Sequence, residues 1–313
     1  MDVVAAPNPA QQEVLDLLGA AEAERPVFDV GLRGQLRAEL EEAVAPAAGR
    51  LAPGDQLRVT KHALSQVHGC EARFLAEEDA PFEASVPMVR GTVAHKAVEL
   101  SIHWRREPVP AELVDEALAA FEHGDHWSTR FLQGCSEVER AELRSEATDL
   151  VTKFLECFPP LRAAWRPVSE SALRLDLAGG VIVLSGKVDL ALGRASGTTA
   201  GKVLVDYKTG AFAPSHIDDL RFYALLEAAR LGVPPRMLAT YYLDGGRLQP
   251  EPVTVALLSS TVRRVADGID RMVELRAGDR PPVKRVSPSC RWCVALPDCL
   301  EGTDHLATAD DWG

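Results

Sequence analysis

The chain has 313 residues, 46% of them hydrophobic and 26% charged, and a formal net charge of −12. That acidic balance excludes indiscriminate coating of nucleic acid, whose affinity comes largely from phosphate neutralisation by Lys and Arg. No apolar run approaches the roughly 20 residues needed to cross a bilayer, so no membrane partner is expected. A polyanionic partner would need a local basic groove, with Arg58, Lys61, Arg73, Arg90, Lys96, Arg105, Arg106 and Arg221 as candidates. The segment from Met1 to Pro7 lacks the basic and apolar regions of a signal peptide. The expected location is cytoplasmic, where six cysteines serve as metal ligands or free thiols rather than disulfides.

From the N-terminus, Gln11–Glu24 and Gly31–Val44 are rich in Ala, Leu and Glu and predict helices. The Pro- and Gly-bearing segment Ala45–Gly54 separates them from the rest of the chain, so residues 1–55 are expected as a helical extension and 56–313 as the main domain. Thr60 is a candidate cap for a helix running to about Glu77. Helical spacing also covers Gly91–Trp104, Ala111–Phe121 and Glu137–Phe158, the last ended by Pro159-Pro160. The period then changes. Ser171–Leu177, Val181–Leu192 and Lys202–Lys208 are short, β-branched or alternating, and divided by glycine-containing turns, which predicts three strands. Asp218–Leu231 returns to helix, Met237–Leu243 and Pro252–Leu257 predict strands, and Ser259–Ala277 predicts a final amphipathic helix. The fold class is α/β, with a central mixed β-sheet flanked by helices, a helical N-terminal half and a cysteine-bearing tail.

Two of these strands carry chemistry. Gly186-Lys187-Val188-Asp189 and Val205-Asp206-Tyr207-Lys208 each end an apolar run on a carboxylate, and a lysine comes two residues after the second. Side chains alternate along a strand, so Asp206 and Lys208 share a face and Tyr207 opposes them. If the two strands pair, Asp189 joins them. Two carboxylates and a lysine at a sheet end suit a divalent cation beside a water, the equipment of phosphodiester hydrolysis. The same residues also suit a solvated strand edge.

The tail holds Cys290, Cys293 and Cys299, spaced C-x2-C-x5-C, and a tetrahedral centre needs a fourth thiolate. Cys70 is the best candidate, while Cys135 and Cys157 lie in helical patterns as free thiols. Ligation would close a loop of roughly 220 residues and act as a structural staple. Zinc and a [4Fe–4S] cluster both fit four thiolates.

Five elements in order then resemble one family, the RecB-like branch of the PD-(D/E)XK nucleases, and within it the iron–sulfur subgroup. That subgroup includes the AddB nuclease domain and the four-cysteine nucleases of CRISPR adaptation. The elements are Cys70-x-x-Arg73-Phe74 in a helix, Gly91-x-x-x-His95-x-x-x-Glu99, the Gly-x-x-Asp ending in Asp189, Asp206-Tyr207-Lys208, and the cysteine tail. The resemblance spans about Thr60 to Cys299 and implies a restriction-endonuclease-like core. It implies that His95, neutral at pH 7, binds metal with Asp189, Asp206 and the carbonyl of Tyr207. Lys208 would orient or activate water and stabilise phosphorane charge, with Tyr223 completing the catalytic set. Hard oxygen ligands and one imidazole suit Mg²⁺ or Mn²⁺. Without the resemblance, His95 reads as a core histidine. Glu99 would hold a water behind the metal ligands or pair with Lys96, and Glu170 is a further candidate to face the metal.

Two positions depart from the family pattern. Glu71 stands where the family carries proline after the cysteine, and Asp219 stands where it carries glutamine four residues before the tyrosine. A carboxylate cannot donate to phosphate. Either Asp219 points away and Arg221 takes over the phosphate contact, or substrate engagement differs. No Gly-x-x-x-x-Gly-Lys-[Ser/Thr] motif occurs, since Gly180…Gly186-Lys187 has the wrong spacing. Any helicase partner is therefore a separate chain. The resemblance implies a metal-dependent deoxyribonuclease, an exonuclease on single-stranded or frayed DNA in repair, recombination or defence. The alternative is a non-cleaving or partner-activated binding subunit on the same fold.

Overall fold

The computed structural model describes residues 6–104, 106–122 and 127–310. Arg105, most of the Met1–Pro7 segment and the last three residues lie outside the described residues. Two helices open the chain, α1 (Pro9–Leu18) and α2 (Leu32–Ala48), followed by the strand β1 (Leu57–Val59). Five helices and a sixth, long one come next: α3 (Lys61–Gly69), α4 (Glu71–Asp79), α5 (Val86–Ile102), α6 (Pro110–Glu122), α7 (Trp127–Gly134) and α8 (Glu137–Cys157). The sheet-forming strands are β2 (Val168–Leu177), β3 (Ile182–Leu192) and β4 (Val203–Lys208), then α9 (Ser215–Leu231), β5 (Met237–Tyr242) and β6 (Arg247–Pro252). The chain ends in α10 (Val255–Ala277) and α11 (Leu300–Asp310).

The architecture is the expected mixed sheet flanked by helices. Its order is β1-β3-β4-β5-β6, with β2 on the other edge of β3. Strand alternation sorts the core into two layers. Leu204 of β4 belongs to a cluster with α2, α3, α9 and α10, whereas Val203, Val205 and Tyr207 belong to one with α5, α6 and α8. Residues from the first fifty contribute to both layers, Val14 to one and Leu32, Leu36, Leu40 and Val44 to the other.

The pairing of β3 positions the site. On one edge β3 pairs antiparallel with β2 from Ile182 to Ala191, interrupted at Asp189. On the opposite edge, β1 pairs in parallel with Ile182–Leu184, and β4 pairs antiparallel with Leu190–Leu192. Residues 185–189 therefore have no strand partner on that edge, and the sheet forks there. Gly186 and Asp189 sit in the fork.

Several elements differ from expectation for identifiable reasons. Helix α2 runs through Pro46 to Ala48 because its apolar stripe, Leu36, Leu40, Val44 and Ala47, stays buried past the proline. The helix expected from Thr60 to Glu77 is two, broken at Cys70, whose φ of −134° and ψ of 111° are extended. Cys70 is thus a junction residue rather than a helical one. The last strand is Arg247–Pro252, not Pro252–Leu257, because Thr254 caps α10 by accepting from the Leu257 N–H. β1 is three residues long, too short for alternation to show in sequence, and α7 and α11 also went unread. Among the described residues, no helix is long and apolar enough to cross a membrane.

Candidate active site

Two glycines permit the close approaches that build the fork. A Cβ on Gly186 would stand 2.5 Å from Cε1 of Tyr223, so the bare strand lets that ring lie against β3. A Cβ on Gly91 would stand 3.0 Å from the Thr209 hydroxyl, so α5 can press onto the end of β4. One helical turn after Gly91 comes His95. Its Nδ1 is 3.6 Å from Asp189 Oδ1, and its ring stands edge-on to Tyr207 with centroids 5.7 Å apart. The backbone N–H of Tyr207 donates to Asp189 Oδ2 at 2.7 Å, which ties the two strand ends together across the opening.

Asp206 is fully buried and faces the α3 and α9 side. Lys61, the first residue of α3, donates to its Oδ1 at 2.7 Å, and Lys208 Nζ lies 2.8 Å from Oδ2. Lys208 also donates to Asp219 Oδ2 at 2.6 Å, and Lys61 lies 3.8 Å from the same oxygen. The result is an alternating square of two carboxylates and two ammoniums. Tyr223 lines it, with Lys61 5.1 Å above its ring centroid. Burial works to raise the carboxyl of Asp206, but the charges of Lys61 and Lys208 outweigh it and hold the group well below the carboxylate range. Burial works to lower the ammonium of Lys61, and Asp206 reverses it, so Lys61 is held above its usual value. Burial pushes the Tyr223 phenol up to about 12, keeping it protonated.

The four expected metal ligands, His95, Asp189, Asp206 and Tyr207, and the expected catalytic residues Lys208 and Tyr223 lie around this fork. Burial works to lower the imidazole of His95, and the charge of Asp189 and its hydrogen bond outweigh this and raise it above its ordinary value. Asp219 does not point away, since it accepts from Lys208. Arg221 does not replace it, because Glu251 and Asp218 hold its guanidinium. Glu99 pairs with Lys96 at 2.9 Å and Glu170 with Lys187. Of the expected groove, Arg73, Arg90 and Arg106 are paired with Glu77, Glu146 and Glu112, and Arg58 is exposed. Sequence reading missed Lys61 as a member of the site. The signal was its position just after the Thr60 cap, at the mouth of a strand too short to recognise.

The donor set fits a hard divalent cation. Asp206 Oδ2 is buried without a hydrogen bond of good geometry, and the Asp189 carboxylate and His95 imidazole lie at the same fork. Among the described residues the side chains do not themselves close a ready-made cage, so water and phosphate oxygens would complete the shell.

The cysteines form a second region. Cys70, Cys290, Cys293 and Cys299 line one cavity of about 100 Å³, while Cys135 and Cys157 lie elsewhere. The Ser287 N–H points at Cys290 Sγ at 3.4 Å, as backbone donors do around ligating thiolates. Glu71 explains its own departure from proline. Its N–H donates to the Val283 carbonyl at 3.1 Å, a bond proline cannot make, and its carboxylate accepts from the Val283 N–H at 2.8 Å and from Arg280 and Arg271. This latch joins Cys70 to the tail.

The family model described as the PD-(D/E)XK nuclease superfamily matches residues 58–299. The chain belongs to this superfamily. The matched span begins in β1 and ends at Cys299. No curated protein matches the chain. Among solved structures, a candidate exonuclease from Eubacterium rectale is 12% identical, with a TM-score of 0.48, over 78% of this chain and 88% of its own. The protein SSO0001 is 14% identical, with a TM-score of 0.38, over 85% and 94%.

Proposed function

We propose that this PD-(D/E)XK nuclease is a metal-dependent deoxyribonuclease of the RecB-like, iron–sulfur subgroup that trims single-stranded or frayed DNA from an end. The observation that carries the reading is the convergence of Asp189, Asp206, Lys208 and His95 on one fork in the sheet. Mg²⁺ or Mn²⁺ held by His95, Asp189, Asp206 and the Tyr207 carbonyl would polarise the scissile phosphate and acidify a water. Lys208, pinned between Asp206 and Asp219, orients that water and meets the negative charge that grows on the phosphorus oxygens. Lys61 supplies a second fixed positive charge, kept protonated by Asp206. Tyr223 supports Lys61 and holds its own proton. Asp219, unable to donate to phosphate, acts instead through the lysine it binds.

Cys70, Cys290, Cys293 and Cys299 hold a [4Fe–4S] cluster in this reading, with zinc as the alternative occupant of the same four thiolates. Residues 1–55 cap the nuclease core, and any helicase or repair partner is a separate chain. The test is cleavage of end-labelled linear and circular single-stranded DNA with Mg²⁺ or Mn²⁺, using protein purified without oxygen. Linear DNA cut and circular DNA spared is the expected result. Cutting of both makes the enzyme an endonuclease, and cutting of neither by protein with an intact cluster moves the assignment to a binding subunit.

A further inference from the structure

Away from the fork, at the start of β4, lies a cavity of about 440 Å³ that no cleavage chemistry uses. It is in the size range of small-molecule sites. Val203 forms part of its wall, and Asp206 is three residues further along the same strand, about 10 Å away at the rise of a β-strand. Four arginines, Arg25, Arg166, Arg194 and Arg236, line it together with apolar side chains and the Trp165 ring.

The arginines are not balanced by acid. Among the described residues none of the four pairs with a carboxylate, whereas Arg221, Arg271, Arg276 and Arg280 all do. Arg236 is only 9% exposed, yet its side chain reaches no more than the Leu18 carbonyl, and its Nε has no partner. The Nε of Arg25 is likewise buried and unpartnered, and its Nη2 reaches the Ala20 carbonyl at 3.5 Å. Burial and the nearby charge of Arg25 both work against the Arg236 cation. Gly201 packs against the Arg194 carbonyl, the nearest atom to a Cβ built there, with Arg25 Nη1 next at 3.2 Å. A buried, unpaired guanidinium is costly unless something else compensates it. Here the chain holds a buried one, Arg236, beside the half-buried Arg25 and adds two more at the rim.

We propose that this cavity binds a phosphate monoester of mononucleotide size, its phosphate between the Arg25 and Arg236 guanidiniums and its base against Trp165. Guanidinium forks match phosphate oxygens in pairs, and the indole offers a flat face for a planar base. The same chemistry has two sources, a free nucleotide or the 5′-phosphate of a DNA end. The arginine cavity does not depend on the cleavage reading, because no residue is shared with the fork.

The test is calorimetric titration in EDTA, so that no divalent cation bridges ligand to the fork. dAMP and inorganic phosphate are expected to bind at one site, and deoxyadenosine is not. Arg25→Gln, and Arg194→Ala at the exposed rim, should each weaken dAMP by at least about tenfold, the scale of a lost charge-assisted hydrogen bond. Asp206→Asn should bind dAMP as the unaltered protein does. A 5′-phosphorylated oligonucleotide that binds as tightly as dAMP identifies a strand end as the source, and one that does not identifies the free nucleotide. The proposal is overturned if neither dAMP nor phosphate saturates a site. It is also overturned if both arginine variants bind dAMP unchanged, or if Asp206→Asn abolishes binding and so moves the ligand to the fork.

Discussion

The fork in the sheet and the cysteine cavity both gather metal-binding residue types, but they are held together differently. At the fork, Lys61 and Lys208 already neutralise Asp206 and Asp219, so the buried carboxylates are compensated by the chain itself. At the cysteine cavity four cysteines line one space, and the two chain segments are joined beside them by the ion pairs and backbone bonds of Glu71. Fold and chemistry are thus separable at the fork and mixed at the cysteines. On the proposed reading, losing metal from the first should cost activity alone. Losing it from the second should then cost order in the tail, but less than a bare staple would, because the Glu71 latch remains.

The largest effect is expected at the fork. Asp206→Asn should lower cleavage by about 10³-fold or more while circular dichroism, and the absorbance of any bound cluster, stay unchanged. Unfolding of that variant would show that the fork is structural too, and the contrast with the cysteines would vanish. Glu71→Gln makes the converse test and should cost about 2–3 kcal/mol by denaturant unfolding. The Glu71 carboxyl is held at about 2, below its ordinary 4.5, above all by the hydrogen bond from Arg280. Its stabilisation is therefore complete above pH 4.5 and lost as pH falls toward 2, and the variant should lose that acid dependence.

Gly186→Ala should push the Tyr223 ring off β3 and cost about 1–3 kcal/mol, with cleavage falling alongside. Lys61→Met refines the account of the charge square: about a tenfold loss in kcat is expected, since one buried cation is removed and Lys208 remains. Unchanged kcat would make Lys61 a structural counter-ion only. The smallest effect belongs to Arg221→Ala, expected within about 1 kcal/mol in stability and without change in DNA affinity, because its guanidinium is spent on Glu251 and Asp218.

The parts of this molecule visible in sequence are those written in short range. Asp206-x-Lys208 shares a strand face by alternation alone, and Gly91 and His95 lie one turn apart on a helix. β3 and β4 announced themselves by apolar, β-branched runs. Distant partners set the parts that stayed hidden. Three residues cannot show a period, so β1 went unread, and with it the reason Lys61 enters the site. The break at Cys70 has no proline to mark it; Glu71 reaches across to Val283 and the arginines near it, and those contacts fix the junction. Pro46 reads as a helix end, yet burial of Val44 and Ala47 carries the helix past it. Asp219 reads as a departure because no short-range signal shows that Lys208, expected to serve water and the phosphorane charge, also binds it.

The placement of β1 has a further consequence, for the order of events in folding. Its ladder joins Leu57–Val59 to Ile182–Leu184, and the contact from Lys61 to Asp206 spans 145 residues. Closing so long a loop is slow and depends on both ends being present. A ribosome-bound chain that has not yet released β4 holds Lys61 without Asp206 or Lys208. The charge square is thus closed only once β4 has emerged and met the first half of the chain.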